Sequence, residues 1–294
     1  MTDQAVSVPR RESPLLRLAK GAALIRESAV GMIGLGIVVF WVAVAILAPL
    51  LAPFPPNQPV MPMATPGMAA PTGETFWLGT DHLGRDILSR IIHGSRQVLL
   101  YAPLATLCAY LVGIPMGLAA GYRRGLVDDI LSFIANVILS FPVLVLYIII
   151  IATIGASGSN IVIAVTFASA PGIMRIVRGL VLDLRNREYV FAAETRGETP
   201  WRIMLVEILP NARGPLIVDA CLRLGYVVIT IGTLGFLGLG LPPPDPDWGG
   251  MVSETRQFAM FMPHMAIFPC IAISSLVLGF NLLADGLREV SLRD

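Results

Sequence analysis

Two groups of side chains near one loop have the residue types of metal ligands. The first group combines carboxylates with an imidazole and consists of Asp81, His82 and Asp86. The second group offers thioethers, which suit soft copper ions, and consists of Met61, Met63 and Met68. The first spacing matches no strong ligand motif, and no Cys or His lies close to the methionines. We therefore interpret both groups as parts of an ordinary loop and expect no metal site.

A serine nucleophile is a second chemistry that the residue types allow. The run Gly155-Ala156-Ser157-Gly158 resembles the serine motif of rhomboid proteases, and His264 opens the last apolar stretch. A serine and a histidine in contact could act as nucleophile and base. Because the run falls in a link between apolar stretches, an intramembrane serine protease is kept only as a remote alternative.

A charged pair lies inside an apolar stretch. Asp219 and Arg223 are four residues apart, so a helix places them on one face, where they can form an ion pair. One interpretation is a self-neutralised pair in a helix interface. The other is an element of a transport pathway or gate, because ionisable residues inside a membrane commonly serve function. Both interpretations stay open at this point.

The composition places these side chains in an integral membrane protein. Of the 294 residues, 55% are hydrophobic and only 14% are charged, whereas a soluble domain carries about 25% charged residues. The net charge of +1 and the scattered basic residues do not favour a nucleic-acid partner. The cysteines lie in apolar stretches, which favours small buried hydrophobic residues over a disulfide or metal site: Cys108, Cys221 and Cys270.

Six apolar stretches are long enough to cross a bilayer, which takes about 20 residues. The sequence therefore predicts an all-α polytopic membrane protein with six transmembrane helices. The first stretch, 29–52, is too long for the apolar region of a signal peptide, so we expect it to be retained. Residues 97–284 are expected to form a five-helix core, whose stretches are 97–120, 129–153, 161–180, 214–238 and 263–284.

The remaining segments flank these stretches. Residues 1–28 predict a cytoplasmic amphipathic arm, and residues 285–294 predict a short cytoplasmic tail. Residues 53–96 predict an extracytoplasmic loop with an amphipathic segment, in which Asp86 caps a helix. That helix is expected to turn four apolar side chains towards the membrane: Ile87, Leu88, Ile91 and Ile92.

Glycines and prolines indicate how the spans pack. Gly113, Gly117 and Gly121 recur every four residues and should let a neighbouring helix approach closely. Pro142 should kink the third span.

The longest charge-dense run, Asn186–Pro210, lies between the fourth and fifth spans, and we call it the polar segment. Gly197 interrupts it, and Pro200 can begin a helix because its missing N–H would be unpaired there anyway. The pattern predicts two short helices joined by a turn at Gly197.

The arginines indicate the orientation. They concentrate in the polar segment, beside it and at Arg123 and Arg124, while the opposite links carry few. The positive-inside rule then places the polar segment and both termini in the cytoplasm. Apart from Asp219 and Arg223, the spans offer almost no residue that could couple transport to an ion. The energy for transport should therefore come from a partner that grips the polar segment.

Four motifs carry a resemblance to a known family. Ala192-Ala193, Gly197 and Ile208-Leu209-Pro210 resemble the EAA signature of permease subunits of ATP-binding-cassette (ABC) importers. The continuation to Val218 is similar to the peptide/nickel group, and to the C-type subunit of dipeptide and oligopeptide importers in particular. Three further matches lie at 79–90, 237–249 and 280–288.

The polar segment departs from the family pattern in three places. Phe191 stands where the signature has its glutamate, as an apolar residue often does in the peptide group. Thr195-Arg196 replaces the usual pair of a small residue and leucine, and Glu198 begins a different run after the glycine. These departures concern the detailed contacts with an ATPase.

The resemblance implies the type I ABC importer permease fold, with short cytoplasmic coupling helices that dock on ATPase subunits. ATP binding would close two ATPase subunits, and the polar segment would transmit this motion to the spans. The docking residues that this implies are Tyr189, Phe191, Ala192, Ala193, Glu194, Arg196, Gly197, Trp201 and Arg202, with Glu188 and Glu198 at the polar rim.

The resemblance also implies the partners and the cargo. The partners are a homologous second permease, which would make a heterodimer, two cytoplasmic ATPase subunits and an extracytoplasmic substrate-binding protein. All would meet at a bacterial cytoplasmic (inner) membrane. The chain itself would be no enzyme and bind no cofactor, since ATP and Mg²⁺ belong to the ATPase subunits. Di- and oligopeptides are the expected cargo, and nickel chelates, glutathione or another small solute are the alternatives. A passive channel that needs no ATPase is the alternative to ATP-driven transport.

Overall fold

The fold is described from a computed structural model that covers residues 28–291, with side chains up to Glu289. The predicted arm 1–28 and the last three residues of the predicted tail lie outside this range, apart from Ser28. The structure is almost entirely helical. Its longer helices are α1 (Ala29–Ile46), α3 (Ile87–Arg123), α4 (Leu126–Leu139), α5 (Val143–Ile154), α6 (Gly158–Leu184), α9 (Leu209–Phe236) and α11 (His264–Ser291).

Shorter elements lie between these helices. They are α2 (Ala48–Leu51), a two-stranded antiparallel ladder of β1 (Met68–Ala69) and β2 (Thr75–Phe76), α7 (Glu188–Thr195), α8 (Pro200–Arg202), a π-helix (Ile203–Ile208), α10 (Trp248–Thr255) and a 3₁₀ turn (Arg256–Phe258). Helix α7 lies at the start of α9 and α10 follows its end, so we call the two ends of the bundle the α7 end and the α10 end.

Five helices in the described part of the chain are long and apolar enough to cross a membrane, and a bent pair can supply a sixth span. The six predicted spans therefore have six structural counterparts. The third is not a kinked helix but a broken one, since α4 and α5 meet at 87°. Pro142 immediately precedes α5, where its missing amide leaves no helical hydrogen bond unmade.

The second span begins ten residues before the predicted start at 97, because α3 is continuous from Ile87 to Arg123. The Asp86 side chain accepts a hydrogen bond from the amide of Ser89 (2.8 Å) and thereby caps α3, as expected. At about 1.5 Å per residue, its 37 residues extend roughly 55 Å, well beyond a hydrocarbon core of about 30 Å. Helix α3 therefore reaches both ends of the bundle.

The predicted orientation of the first turns of α3 is wrong. Ile87, Ile91 and Ile92 are buried in the protein core, and Leu88 is half-buried. The cover is Trp248 of α10, whose indole N–H donates to the carbonyl of Ile91 (3.0 Å). A residue more than 150 positions away thus replaces lipid as the partner of this face, and periodicity alone cannot distinguish the two environments.

The predicted glycine contacts are confirmed. A Cβ on Gly113, Gly117 or Gly121 would come within 2.5 to 2.7 Å of a side-chain atom of α6. The α6 partners, which are also spaced by four residues, are Ile173, Val177 and Val181. Helices α3 and α6 therefore approach more closely than any larger residue on α3 would allow, as membrane helices with small-residue faces do.

Candidate functional site

The turn of the polar segment has the expected position. Helix α7 ends at Thr195, and Gly197 follows with a φ of +72°. The amide of Gly197 donates to the carbonyl of Glu194 (2.9 Å), and the amide of Glu198 donates to the carbonyl of Ala193 (3.2 Å). This pair of bonds is the Schellman motif, which needs a residue of positive φ at the glycine position.

The second half of the polar segment differs from the predicted short helix. Pro200 does begin a helix, but this helix continues through the π-helix into α9, so that one helical rod runs from Pro200 to Phe236. Pro210 has no amide to donate and would crowd the carbonyl four residues before it. The wider π turn directly before α9 accommodates that proline without ending the helix.

The polar segment has an inner and an outer face. Its inner face is fully buried and consists of Val190, Ala193, Ile203, Met204 and Ile208. Ala193 was expected to contact a partner, but at 0% exposure it has no surface to offer and instead supports the segment from beneath. Phe191 (53% exposed) and Trp201 (50%) remain on the outer face, as expected. Sequence reasoning missed two more exposed apolar side chains, Leu205 and Val206.

Tyr189 lies between the two faces. Its ring is half-buried against the inner cluster. Burial raises the pKa of this phenol above its ordinary value. Its hydroxyl has no hydrogen-bond partner among the described residues. Tyr189 therefore supports the outer face and contributes little surface of its own.

The charged rim pairs within the chain. Glu198 accepts from Nη2 of Arg196 (2.9 Å) and lies 3.3 Å from Nε of Arg202. Both arginine side chains are more than half exposed. Exposed pairs of this kind contribute little stability. Their effect is to hold the rim side chains in place, with Ala192, Glu194 and Gly197 also exposed beside them.

The far end of α3 joins the polar segment to the bundle. The Tyr122 hydroxyl donates to Oε1 of Glu194 (2.9 Å), and the Arg123 guanidinium lies 5.7 Å from the ring centroid of Trp201. Arg185, at the end of α6, donates to the Tyr122 carbonyl (2.7 Å). Sequence reasoning did not connect these residues with the polar segment, because contacts between the end of one helix and a distant segment form only in the folded chain.

A second group of polar residues lies between the helices. Asp219 and Arg223 form the predicted ion pair on α9, with Nε of Arg223 2.8 Å from Oδ2 of Asp219. The same carboxylate oxygen accepts a hydrogen bond from the Tyr110 hydroxyl of α3, which sequence reasoning missed. Both charged side chains are about one-fifth exposed. We call these three residues the mid-helix cluster.

The two carboxylates of the metal hypothesis have structural partners. Asp81 accepts from Nε of Arg85 (2.6 Å) and from the amide of Leu83 (2.9 Å). Asp86 caps α3, and burial raises the pKa of its carboxyl. Residues 28–291 contain no group of three His, Cys, Asp or Glu side chains positioned to hold a metal ion.

The residues of the protease hypothesis also have separate roles. Ser157 caps α6, and its Oγ accepts from the amide of Asn160 (3.2 Å). The imidazole of His264 packs against Gly79, where an added Cβ would lie 2.8 Å from Nε2. The structure therefore assigns a local structural role to each member of the hypothetical dyad.

Comparison with known proteins gives matches over most of the chain. Residues 113–293 match the family described as binding-protein-dependent transport system inner membrane component. Residues 25–71 match the family described as the N-terminal transmembrane domain of oligopeptide transport permease C.

Three relatives illustrate the similarity. The glutathione transport system permease protein GsiD of Pectobacterium atrosepticum is 42% identical over 72% of this chain and 71% of its own length. The dipeptide transport system permease protein DppC of Alkalihalophilus pseudofirmus is 38% identical over 90% of this chain and 86% of its own. The di/tripeptide transport system permease protein DppC of Pseudomonas aeruginosa is 35% identical over 94% and 91%.

A solved structure of the MetNI methionine ABC transporter, in an inward-facing conformation, has a similar fold. Its matching chain aligns with a TM-score of 0.55 at 19% identity, covering 69% of this chain and 97% of its own. At this identity the likeness concerns the fold, which is that of a type I ABC importer permease.

Proposed function

Because this chain belongs to the family of binding-protein-dependent transport system inner membrane components, we propose that it forms half of the pathway of an ATP-driven importer of di- and oligopeptides. Relatives named for dipeptide transport match 88 to 94% of the chain at 35 to 38% identity. The match also includes the N-terminal family of oligopeptide permease C. These relatives support a peptide cargo.

Glutathione is the second candidate. The relative named for glutathione transport has the higher identity, 42%, but it matches only 72% of the chain. Glutathione is itself a short peptide with free carboxylates, so the two candidates belong to one chemical class.

The proposed assembly contains a homologous second permease, two cytoplasmic ATPase subunits that carry ATP and Mg²⁺, and an extracytoplasmic binding protein. The membrane is the bacterial inner membrane, with both termini and the polar segment in the cytoplasm. The arginines of the polar segment support this orientation.

The exposed apolar side chains of the polar segment carry the docking proposal. Phe191 and Trp201 are large, half-exposed and supported by a fully buried layer, as interface anchors commonly are. The contacts of Tyr122 and Arg123 join this surface to α3, which extends through the bundle. A displacement of the polar segment by the ATPase subunits would therefore be transmitted to the transmembrane helices.

The docking proposal predicts the effect of removing both anchors. Phe191→Ala with Trp201→Ala should detach the ATPase subunits, because the apolar contact that holds them is lost. We expect the affinity-purified complex to lose most of its ATPase protein and ATP-dependent uptake of alanylalanine to fall at least tenfold. Leu126→Ala, at an apolar residue 79% exposed at the same end of the bundle, is the matched control. A double variant that keeps its ATPase subunits and normal uptake contradicts the docking proposal.

A further inference from the structure

The mid-helix cluster and Gly172 lie at the same depth on three helices. Gly172 and Arg223 lie next to the midpoints of α6 and α9, and Tyr110 lies in the middle of the apolar stretch 97–120 of α3. An arginine at this depth is costly in lipid. Asp219 neutralises the charge of Arg223, but it contacts only the Nε edge of the guanidinium.

The other edge of the guanidinium is open. Asp219 engages Nε of Arg223, while Nη1 and Nη2 lie beside Gly172, where an added Cβ would be 3.6 and 3.5 Å away. The Tyr110 hydroxyl lies near the guanidinium as well. Apart from that hydroxyl, no acceptor among the described residues is in hydrogen-bonding geometry with Nη1 or Nη2. The Arg223 side chain is 21% exposed, so these N–H groups are open to a group that approaches from outside the packed helices.

Arg223 belongs to a polar stripe along α9. The stripe has alternating spacings of four and three residues, which keep its members on one helix face: Asp219, Arg223, Tyr226, Thr230 and Thr233. Tyr226 is 67% exposed, and its hydroxyl has no partner among the described residues. A phenol facing lipid at this depth would lack a hydrogen-bond partner. The stripe therefore suits a hydrated passage rather than lipid.

An open groove leads from the polar segment towards this cluster. It has a volume of about 370 Å³ and follows the π-helix and α9 from Leu205 to Ala220, with Tyr110 in its wall. Tyr110 of the mid-helix cluster thus borders a space that is continuous with the α7 end.

We infer that the open edge of Arg223 binds the carboxylate of the solute in transit, such as the C-terminus of a peptide. Two parallel N–H groups of a guanidinium match the two oxygens of a carboxylate. Asp219 and Tyr110 are positioning residues, since Asp219 holds the guanidinium by its inner edge and the Tyr110 hydroxyl holds Asp219. The negative charge of Asp219 also weakens the attraction of Arg223 for a second carboxylate. A transit site needs such weak binding in order to release its cargo. This inference rests on the proposed function and specifies the substrate class.

The test compares a free acid with its amide. The complete transporter is reconstituted with its binding protein, and ATP-dependent uptake of alanylalanine and alanylalanine amide is measured at saturating loaded binding protein. The binding protein's own preference cancels when the acid-to-amide ratio of each variant is divided by that of the wild type. Arg223→Gln should lower uptake of the acid at least tenfold and change uptake of the amide less than twofold. Arg223→Lys should be intermediate, because an ammonium ion keeps the charge but not the paired N–H groups.

Two further variants keep the test informative. Gly172→Ala leaves the ion pair intact and places a methyl group against Nη1 and Nη2, so it should lower the acid-to-amide ratio severalfold. This variant provides a test even if the Arg223→Gln complex does not assemble. Arg288→Gln, at an exposed arginine in the last turn of α11 and outside the groove, should leave the ratio unchanged. An acid-to-amide ratio that stays at the wild-type value in Gly172→Ala and in any assembled Arg223→Gln overturns the inference. A wild-type complex that imports neither compound with ATP contradicts instead the proposed peptide transport.

Discussion

At the α10 end, the side chain of Asp247 is buried although one of its carboxylate oxygens lacks a hydrogen bond. Asp247 caps α10 by accepting from the amide of Gly249 (3.1 Å), while its Oδ2 has no partner among the described residues. That oxygen occupies space left by Gly235 and Gly240, where an added Cβ would come within 2.2 Å of it. Burial raises the pKa of Asp247 to about 6, and Glu254 nearby adds to the rise.

The raised pKa predicts a pH-dependent stability. The unfolded chain ionises Asp247 near its ordinary pKa of 3.8 and the folded chain near 6, so the folded state holds the extra proton between these values. Rising pH should therefore lower the free energy of unfolding across this window, on the order of 3 kcal/mol, with no further change from this group above it. Asp247→Asn retains the capping oxygen and should remove this slope. Thermal unfolding midpoints between pH 4 and 7.5 check this; parallel profiles for the two proteins contradict it.

Pairs of helices depend on glycine where they approach most closely. At Gly117 an added Cβ would lie 2.5 Å from the Cβ of Val177 and 2.7 Å from the carbonyl oxygen of Met174. Backbone cannot move away as a flexible side chain can, so α3 and α6 would have to separate.

This contact predicts a large difference between two identical substitutions. Gly117→Ala should destabilise the purified protein by about 1–3 kcal/mol through overpacking. Gly36→Ala on α1 is the matched control, since its added Cβ would meet nothing within 4 Å. Thermal unfolding in detergent measures both changes. Equal midpoints for the two variants would show that the α3–α6 contact is loose in solution.

The whole molecule connects its α7 end to its α10 end through continuous helices. The rod from Pro200 to Phe236 begins in the polar segment, passes the mid-helix cluster and ends near α10. Packed helices move as stiff bodies, which makes them suited to transmit a two-state motion. The turn at Gly197 sets the angle between α7 and this rod.

The turn predicts a selective loss of coupling. Gly197→Pro removes the amide that bonds to Glu194 and forbids the φ of +72°. It should abolish uptake and substrate-stimulated ATPase activity while the protein still inserts into the membrane. Gly197→Asn is the matched control, because asparagine tolerates positive φ and keeps its amide. Uptake and ATPase activity are measured in proteoliposomes, and normal uptake by the proline variant contradicts the coupling role.

The sequence by itself determined the local features of this protein. The number of apolar stretches, the Asp86 cap, the Gly197 turn and the i, i+4 pair of Asp219 and Arg223 all depend on residues within a few positions of one another. Hydrophobic length, capping and helical spacing are properties of such short windows, so they could be predicted.

The tertiary structure alone decided which faces meet. It buried Ile91 beneath Trp248 and turned Ala193 inward. It also brought Tyr110 to Asp219 from 109 residues away. The period of an apolar face is the same whether lipid or protein covers it, and the partner of a polar side chain depends on how distant helices pack. These contacts form only when the whole chain folds, and they place Arg223 with one edge held and the other open.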